Sequence, residues 1–359
     1  MVENMSGSYL DFIIHPGETL KEIITDRSIT VTDLARRTGM SRKHLTEVIN
    51  GKADISSNLA VKLEYTLGIK SIFWNNLQAQ YNDELQLFAE KQAISEQEYE
   101  IISQYQKANV ISVFESKGII KPNLGKVDLV LELRKFMKVA NLTIIPTLSF
   151  AGAFRTQTST NINVFVMYAW MMLCENLTQN ISVKDYNIEL LKENIPEIKK
   201  CMFLEPNAMY KKLVEIFSAC GIAFAIVPNF KGAPVQGMIK DDNGKISMCL
   251  TIRQKYLDIF WFTLFHEIGH LVNNDFNRVF VDFNNVDSDI ERNADKFASE
   301  TLIKKENYLR YTKGKNFSPL SIKRFADQEK VDPSIVAGRL MKDEYISWGS
   351  IPRTKYEWA

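Results

Sequence analysis

The feature that most constrains this chain is an apolar run with three polar side chains inside it. The run, FWFTLFHEIGH, contains His266, Glu267 and His270. Polar side chains in a buried helix cost free energy unless something satisfies them. Residues four apart lie on one face of a helix, so the two histidines can bind one metal ion together. Glu267 lies about 100° further round the helix, close to that ion but not needed as a ligand.

A metal ion held by these two histidines needs a third ligand from another helix. The later segment DIERNADKF offers Glu291 and Asp295, which are again four residues apart. Glu291 can complete the site, and Asp295 can accept a hydrogen bond from a ligand histidine and fix its tautomer. We therefore predict a Zn²⁺ site formed by His266, His270 and Glu291, with Glu267 as the general base for a water molecule. The alternative is a chance HExxH match, with both acids on a solvated helix face.

Peptide hydrolysis requires more than a metal site, because the oxyanion needs a further donor. Tyr308 and Arg339 are both candidates, and the sequence does not distinguish them. A strand near residues 245–252 could be a sheet edge to which an extended substrate adds, although a purely structural hairpin fits the pattern equally well. The pattern of HExxH followed by ExxxD thus predicts a gluzincin-like zinc metalloendopeptidase and leaves its activity open.

Composition indicates an ordinary globular protein of two or three domains. The 359 residues are 45% apolar and 24% charged, with a net charge of +1, which argues against disorder and against charge-driven binding by the whole molecule. The four cysteines form no CxxC pair, so a disulfide framework or cysteine zinc site is not expected. No signal peptide is apparent, and the longest apolar run, residues 164–174, is too short to span a bilayer. We expect a cytoplasmic protein with no membrane partner.

The first 82 residues read as five short helices, and two of them have helix-turn-helix spacing. These two are TVTDLARRTG and SRKHLTEVINGK, and the second is the presumed recognition helix. Residues 36–52 hold five cations against one acid, a local charge of +4 that suits phosphate contacts. A small bundle for protein contact is the alternative. The predicted DNA-binding residues are Arg42, Lys43 and Thr46 at bases, Arg36, Arg37 and Lys52 at phosphates, and Ser41 and Asn50 on the same exposed side.

The remaining pattern predicts a mainly α protein with a small β-sheet, an α+β fold. Residues 222–228 look like a buried strand, and residues 238–252 look like a hairpin with its turn at Asn243-Gly244. We predict three parts. They are a helix-turn-helix domain at 1–82, a helical subdomain at 83–200 and a metal-binding domain at 201–359.

Two family resemblances follow from these motifs. The stretches HPGETLKEII, LARRTGMSRKHLTEVINGKADIS and FWNNLQAQY resemble the Cro/CI-type (XRE) helix-turn-helix of HigA-type antitoxins, which implies a five-helix, lambda-repressor-like domain. The stretches FWFTLFHEIGH, ERNADKFASETLI and FADQEKVDPSIVAGRLMKDEYI resemble the ImmA/IrrE metallopeptidases, which implies a zincin-like domain. This second likeness also implies zinc at His266, His270 and Glu291, with Glu267 as the base. One departure is Asn293, where many members carry an acid.

The resemblances imply a DNA-binding regulator that controls stress, toxin–antitoxin or mobile-element genes. It would bind a double-stranded operator and cleave a repressor or partner protein at a specific site. Because a small domain with one reading helix normally works on a two-fold site, we expect a homodimer. The alternative is a HigA-type antitoxin or repressor whose zinc domain is a sensor or scaffold with little turnover. A third possibility is a toxin-neutralising partner, in which the large domain mainly binds protein. Retention of Glu267 favours catalysis, because a scaffold needs no base beside its histidines.

Overall fold

The computed structural model describes residues 13–148, 162–242, 244–251, 255–274, 279–283 and 289–356. In these ranges the chain is mainly helical with one four-stranded sheet, which confirms the predicted mainly α fold with a small β-sheet. The chain divides into two compact units, residues 1–96 and 97–359. The finer three-part division stays a prediction.

The first unit contains the predicted helix-turn-helix, and its fifth helix runs to Gln92, beyond the expected end near residue 82. Three helices begin at a hydroxyl cap, because the side chains of Thr30, Ser41 and Ser56 each accept a hydrogen bond from a backbone N–H of the first turn. The core is fully buried and includes Leu20, Leu34, Leu45, Leu59, Leu63 and Trp74. The helices are α1 Pro16–Asp26, α2 Val31–Thr38, α3 Arg42–Ile49, α4 Ser57–Leu67 and α5 Ser71–Gln92.

His15 ties the start of α1 to the end of α3. Its Nδ1 accepts a hydrogen bond from the Gly17 N–H at 2.9 Å, and its ring lies edge-on to Tyr81 with 4.7 Å between centroids. Gly17 has to be glycine, because a Cβ there would lie 1.9 Å from the carbonyl oxygen of Val48. Gly51, at φ +69°, turns the chain after α3 so that it packs on the imidazole. The recognition helix is therefore fixed at its C-terminal end by a buried histidine.

The second unit is a mixed sheet surrounded by helices, and α12 carries the HExxH motif. The helices are α6 Glu96–Lys107, α7 Val110–Ser116, α8 Lys126–Phe136, α9 Val164–Gln179, α10 Ile188–Lys200, α11 Pro206–Ala219, α12 Leu257–Asn273, α13 Asp289–Leu302, α14 Lys305–Lys313, α15 Pro319–Glu329 and α16 Pro333–Lys342, with 3-10 turns at Leu142–Thr147 and Cys201–Phe203. The strands are β1 Ile222–Val227, β2 Val235–Asp242, β3 Lys245–Thr251 and β4 Val279–Phe283.

The strands lie in the order β1-β3-β2-β4, with β1 parallel to β3 and the other pairs antiparallel. The predicted hairpin is present as β2 and β3, where Asp242 pairs with Lys245. Its turn includes Asn243, which lies outside the described residues. Of the two alternatives for residues 245–252, the sheet edge is wrong and the structural hairpin is present, because β3 is paired on both sides. The strand β1, which precedes the hairpin in the sequence, lies parallel to β3 and covers the side that a simple hairpin would leave open.

The apolar helix α12 lies in the centre of the second core. Trp261, Leu264, Phe265 and Ile268 are fully buried. The Trp261 indole N–H donates to the hydroxyl of Tyr356 at 2.6 Å, so the aromatic side chain is satisfied as well as buried. Among the described residues, no helix combines the length and apolar character needed to cross a membrane.

We expect the first unit to lose stability in mild acid because of His15. Burial lowers the pKa of His15 below its ordinary value, outweighing the nearby Asp54 and Glu18 carboxylates. The unfolded chain then binds the proton more readily, so stability is full above about pH 6.5 and falls as the pH drops below it. Thermal unfolding measured at pH values from 7.5 to 5 should show this loss in the unfolding transition of the first unit.

The matched control for this prediction is His15→Asn. Asparagine can cap α1 but does not titrate in this range. The variant should show a flatter pH dependence than the wild-type protein, and an equal loss in both proteins would contradict the role given to His15.

Candidate functional site

The two histidines of the motif lie on one buried face of α12. His270 and Glu267 are fully buried, and His266 is 6% exposed. The surrounding helix is apolar on nearly all sides, so it packs in the core and takes these polar side chains with it. Their polar atoms must be satisfied inside the protein.

A close approach of α12 and α13 supplies polar partners for the two histidines. At the crossing, a Cβ added to Gly269 would lie 3.1 Å from the Cα of Ala294, so a larger residue at 269 would push the helices apart. Ala294 and Ala298 are fully buried on the facing side of α13. These small residues bring Glu291 and Asp295 against the histidines.

Three ligand atoms meet at one point. His266 Nε2 lies 3.0 Å from His270 Nε2 and 3.1 Å from a carboxylate oxygen of Glu291. The other Glu291 oxygen lies 3.7 Å from His270 Nε2. Tetrahedral zinc with bonds of about 2.0–2.1 Å places its ligand atoms roughly 3.3–3.4 Å apart. One ligand atom of each of the three residues lies within 4.8 Å of the others, so the three side chains are close enough to share one ion.

The tautomer of His266 points to the same conclusion. Its Nδ1 lies 2.9 Å from Asp295 Oδ1, and an ionised carboxylate can only accept a hydrogen bond. In the neutral imidazole, Nδ1 therefore carries the proton and Nε2 keeps its lone pair. That lone pair faces His270 Nε2 and the Glu291 carboxylate. Together these atoms form a set of metal ligands that a cation would hold together.

Glu291 keeps its charge in this setting. Burial alone would raise the pKa of Glu291, but its close contacts with His266 and His270 outweigh burial and lower the pKa to about 2. The carboxylate is thus ionised at neutral pH, as a metal ligand must be. Asn293, the departure noted in the sequence, lies on the exposed side of α13.

Glu267 is positioned by an irregularity in the sheet. The β2–β4 register shifts between Val235 and Gly237, and the Thr263 hydroxyl of α12 donates to the Gln236 side chain at 3.1 Å. A Cβ on Gly237 would lie 1.9 Å from Glu267 Oε1, so only glycine lets the carboxylate rest against the strand backbone. The sequence alone does not point to Gly237, since nothing in its local pattern links it to Glu267.

The two oxyanion candidates have other partners. Tyr308 donates its hydroxyl hydrogen to Asp343 at 2.7 Å. Arg339 stacks on the Tyr308 ring at 3.9 Å and donates to the carbonyls of Ser299 and Ile303 at 3.2 Å each. Neither side chain is therefore assigned to oxyanion stabilisation.

Two cations fix the C-terminal end of α13. Arg339 binds the Ser299 and Ile303 carbonyls, and Lys199 donates to those of Thr301 and Leu302 at 2.9 and 2.8 Å. Together they satisfy carbonyls that a helix end leaves without partners. Lys199 is a positioning residue that the sequence did not reveal, because it lies about one hundred residues away from the helix it caps.

The first unit presents a second candidate site, the recognition helix α3. Leu34, Leu45 and Val48 are buried beneath it. Some polar side chains are also held within the helices, since Arg37 pairs with Asp33 at 2.7 Å and the Thr46 hydroxyl donates to the Arg42 carbonyl at 2.8 Å. The residues predicted to contact DNA are all exposed, namely Arg36, Arg37, Ser41, Arg42, Lys43, Thr46, Asn50 and Lys52.

Comparison with known proteins identifies this first unit. Residues 19–63 match the Cro/C1-type HTH DNA-binding domain family, so this part of the chain is a Cro/C1-type helix-turn-helix domain. Virulence-associated protein A' of Dichelobacter nodosus is 36% identical over 69 residues, which are 19% of this chain. The chain spans 60% of the length of that relative.

Three solved structures are similar to a part of the chain. An antidote protein of a plasmid maintenance system from Nostoc punctiforme is 34% identical and covers 22% of this chain and 87% of its own, with a TM-score of 0.22. A HigA-family addiction module antidote protein from Coxiella burnetii is 31% identical. The match covers 21% of this chain and 82% of that protein, with a TM-score of 0.20. Antitoxin HigA of Pseudomonas aeruginosa with the higBA promoter is 25% identical. The match covers 31% of this chain and 98% of that protein, with a TM-score of 0.19. The family match ends at residue 63, so the case for a metal centre rests on its own geometry.

Replacing Gly237 with alanine should displace Glu267 and destabilise the second unit. The added methyl group would overlap the carboxylate, a steric conflict that typically costs about 1–3 kcal/mol. Denaturant unfolding monitored by tryptophan fluorescence would measure the change. Gly125→Ser is the control, because a Cβ there has no heavy atom within 4 Å and serine is favoured at the helix N-cap that Gly125 occupies. Equal stability of the two variants would contradict the proposed contact.

Proposed function

We propose that this chain is a transcriptional regulator whose second unit carries a zincin-like, zinc-dependent peptidase centre. The observation that carries the proposal is the meeting of His266, His270 and Glu291 at one point, with Asp295 behind His266. The likeness of the HEIGH and ERNAD motifs to the ImmA/IrrE metallopeptidases supports the same assignment. The proposed substrate is a repressor or other partner protein.

DNA binding follows from the Cro/C1-type domain and its exposed basic helix. Arg42 and Lys43 lie in the first turn of α3, the part of a recognition helix that enters the major groove. Arg36, Arg37 and Lys52 flank it and would hold phosphates. A domain with one recognition helix reads a two-fold operator as a dimer, so we propose a cytoplasmic homodimer that controls stress, toxin–antitoxin or mobile-element genes.

In the second unit each residue has a separate chemical task. Zinc, when bound by His266, His270 and Glu291, would supply Lewis-acid activation of water and of a peptide carbonyl. Asp295 holds the His266 ring and its tautomer. Glu267, seated against Gly237, would take the proton from the attacking water and pass it to the leaving amine.

A second function has support from burial of the site. Glu267 and His270 are fully buried, and Glu291 has a side-chain exposure of 15%. A centre this enclosed suits a HigA-type repressor or antitoxin whose zinc domain is a sensor or a toxin-binding scaffold with little turnover. The two functions differ in whether Glu267 is required for cleavage.

The variant Arg42→Ala plus Lys43→Ala should lose operator binding while keeping its fold. Losing two base contacts at the recognition helix should weaken binding by about 100-fold and lower the preference for the selected site over unrelated duplexes. Gel shifts at physiological salt, on a site that the wild-type protein selects from random duplexes, would measure both effects. Lys21→Ala plus Lys70→Ala removes the same charge outside α2 and α3 and should bind normally. Unchanged affinity of the first variant would refute the assignment of α3.

The variant Glu267→Gln should keep zinc but lose proteolysis. Wild-type protein purified without chelator should contain about one zinc per chain, and so should Glu267→Gln, because this residue is not a ligand. His266→Ala should lose the metal. Elemental analysis would measure zinc, and mass spectrometry of a proteome-derived peptide library would measure cleavage.

The possible outcomes separate the hypotheses. Absence of zinc from the wild-type protein would remove both functions of the second unit. Zinc without cleavage in the wild-type protein would favour the scaffold. Cleavage that continues in Glu267→Gln would show that another group is the base.

A further inference from the structure

A cavity beside the proposed metal centre has the features of a ligand site. It lies between the C-terminal half of α13, α14 and the end of α16, and its volume is about 530 Å³. Small-molecule sites in proteins commonly have volumes of about 300–1,000 Å³. The cavity contains none of the residues assigned to the metal, so the proposed zinc chemistry does not account for it.

The floor of this cavity is held in place before any ligand arrives. The Tyr308 ring is 4% exposed, and its hydroxyl donates to Asp343 at 2.7 Å. The guanidinium of Arg339 stacks on that ring and is fixed by the carbonyls of Ser299 and Ile303. Burial and the Asp343 carboxylate raise the pKa of Tyr308, so the hydroxyl keeps its proton at neutral pH. Binding to such a floor costs little ordering entropy.

The charges of the lining favour an anion. Three cations line the cavity against two carboxylates, and Asp343 already accepts from Tyr308 and lies 3.8 Å from Arg339 Nε. In the part of the chain that the structure describes, Lys296 and Lys305 have no carboxylate within ion-pair distance. Their two ammonium groups are therefore available at the rim.

The rest of the rim is apolar. Leu309 is 49% exposed and Tyr345 is 46% exposed, although both are large hydrophobic residues. The Tyr345 ring lies edge-on to Tyr308 with 6.4 Å between centroids. A flat apolar body could stack on Tyr345 and cover Leu309 while its charged group reached the lysines.

We propose that this cavity binds a small organic anion with an aromatic body, held by Lys296 and Lys305 at its charge and by Tyr345 and Leu309 at its ring. The cavity lies on α13, the helix that carries Glu291 and Asp295, so the ligand would stabilise the helix that completes the metal centre. The proposal does not depend on zinc or on proteolysis. It assigns the second unit a role in sensing a metabolite.

Calorimetric titration of the full chain with phenyl phosphate tests the site, with inorganic phosphate, phenol and benzoate as further probes. Phenyl phosphate should saturate one site and bind at least about tenfold more tightly than phosphate or phenol, since only it has both parts. Failure of both phenyl phosphate and benzoate to saturate would overturn the proposal. Phosphate or phenol binding as tightly as phenyl phosphate would overturn the two-part recognition.

Variants locate the site. Lys296→Ala plus Lys305→Ala should weaken phenyl phosphate binding by about tenfold or more, and Lys313→Ala plus Lys323→Ala, with the same loss of charge outside the cavity, should not. Tyr345→Ser should weaken phenyl phosphate binding but leave the weak binding of inorganic phosphate unchanged. Thermal unfolding would verify that each variant is folded. Wild-type affinity in both the double lysine variant and Tyr345→Ser would place the ligand elsewhere and overturn the assignment.

Discussion

The close approach of α12 and α13 is the constraint on which the candidate metal centre depends. Histidines four apart on one helix define only one side of a metal site, and the remaining ligand has to come from a neighbouring backbone. Gly269 and Ala294 provide the room for that approach, and Lys199 and Arg339 hold the far end of α13 by its carbonyls. Small residues at the crossing and cations at the helix end therefore act together, although they lie far apart in the sequence.

Periodicity and spacing predicted the features that depend on short stretches of chain. The helix-turn-helix follows from caps and glycine stops within about thirty residues, and the β2–β3 hairpin follows from two alternating runs around a turn. The i, i+4 spacing of His266 and His270 on α12, and of Glu291 and Asp295 on α13, likewise predicts which side chains lie close together. Sequence could not reveal the partner of β3 on its other side, because the parallel strand β1 pairs with it across a long connection. Without that contact, the sequence could not decide between a sheet edge and a structural hairpin.

Contacts between distant elements were equally hidden. Gly237 is ordinary in its own strand, and its importance appears only where Glu267 packs against it. Tyr308 and Arg339 are candidate oxyanion donors by their chemistry, but their hydrogen bonds go to Asp343 and to the end of α13. A side chain's chemistry limits what it can do, and the packing of the neighbouring helices decides which of those roles it takes.

His266, His270 and Glu291 bring three unshared electron pairs close together, and this arrangement also affects how much folded protein a cell would hold. With a cation bound as proposed, the free energy of folding includes the binding free energy, so the folded fraction rises with the free metal concentration. Under metal starvation, more of the second unit would be open to cellular proteases. A regulator built in this way would report the nutritional state of its host through its own abundance, even when no substrate is present.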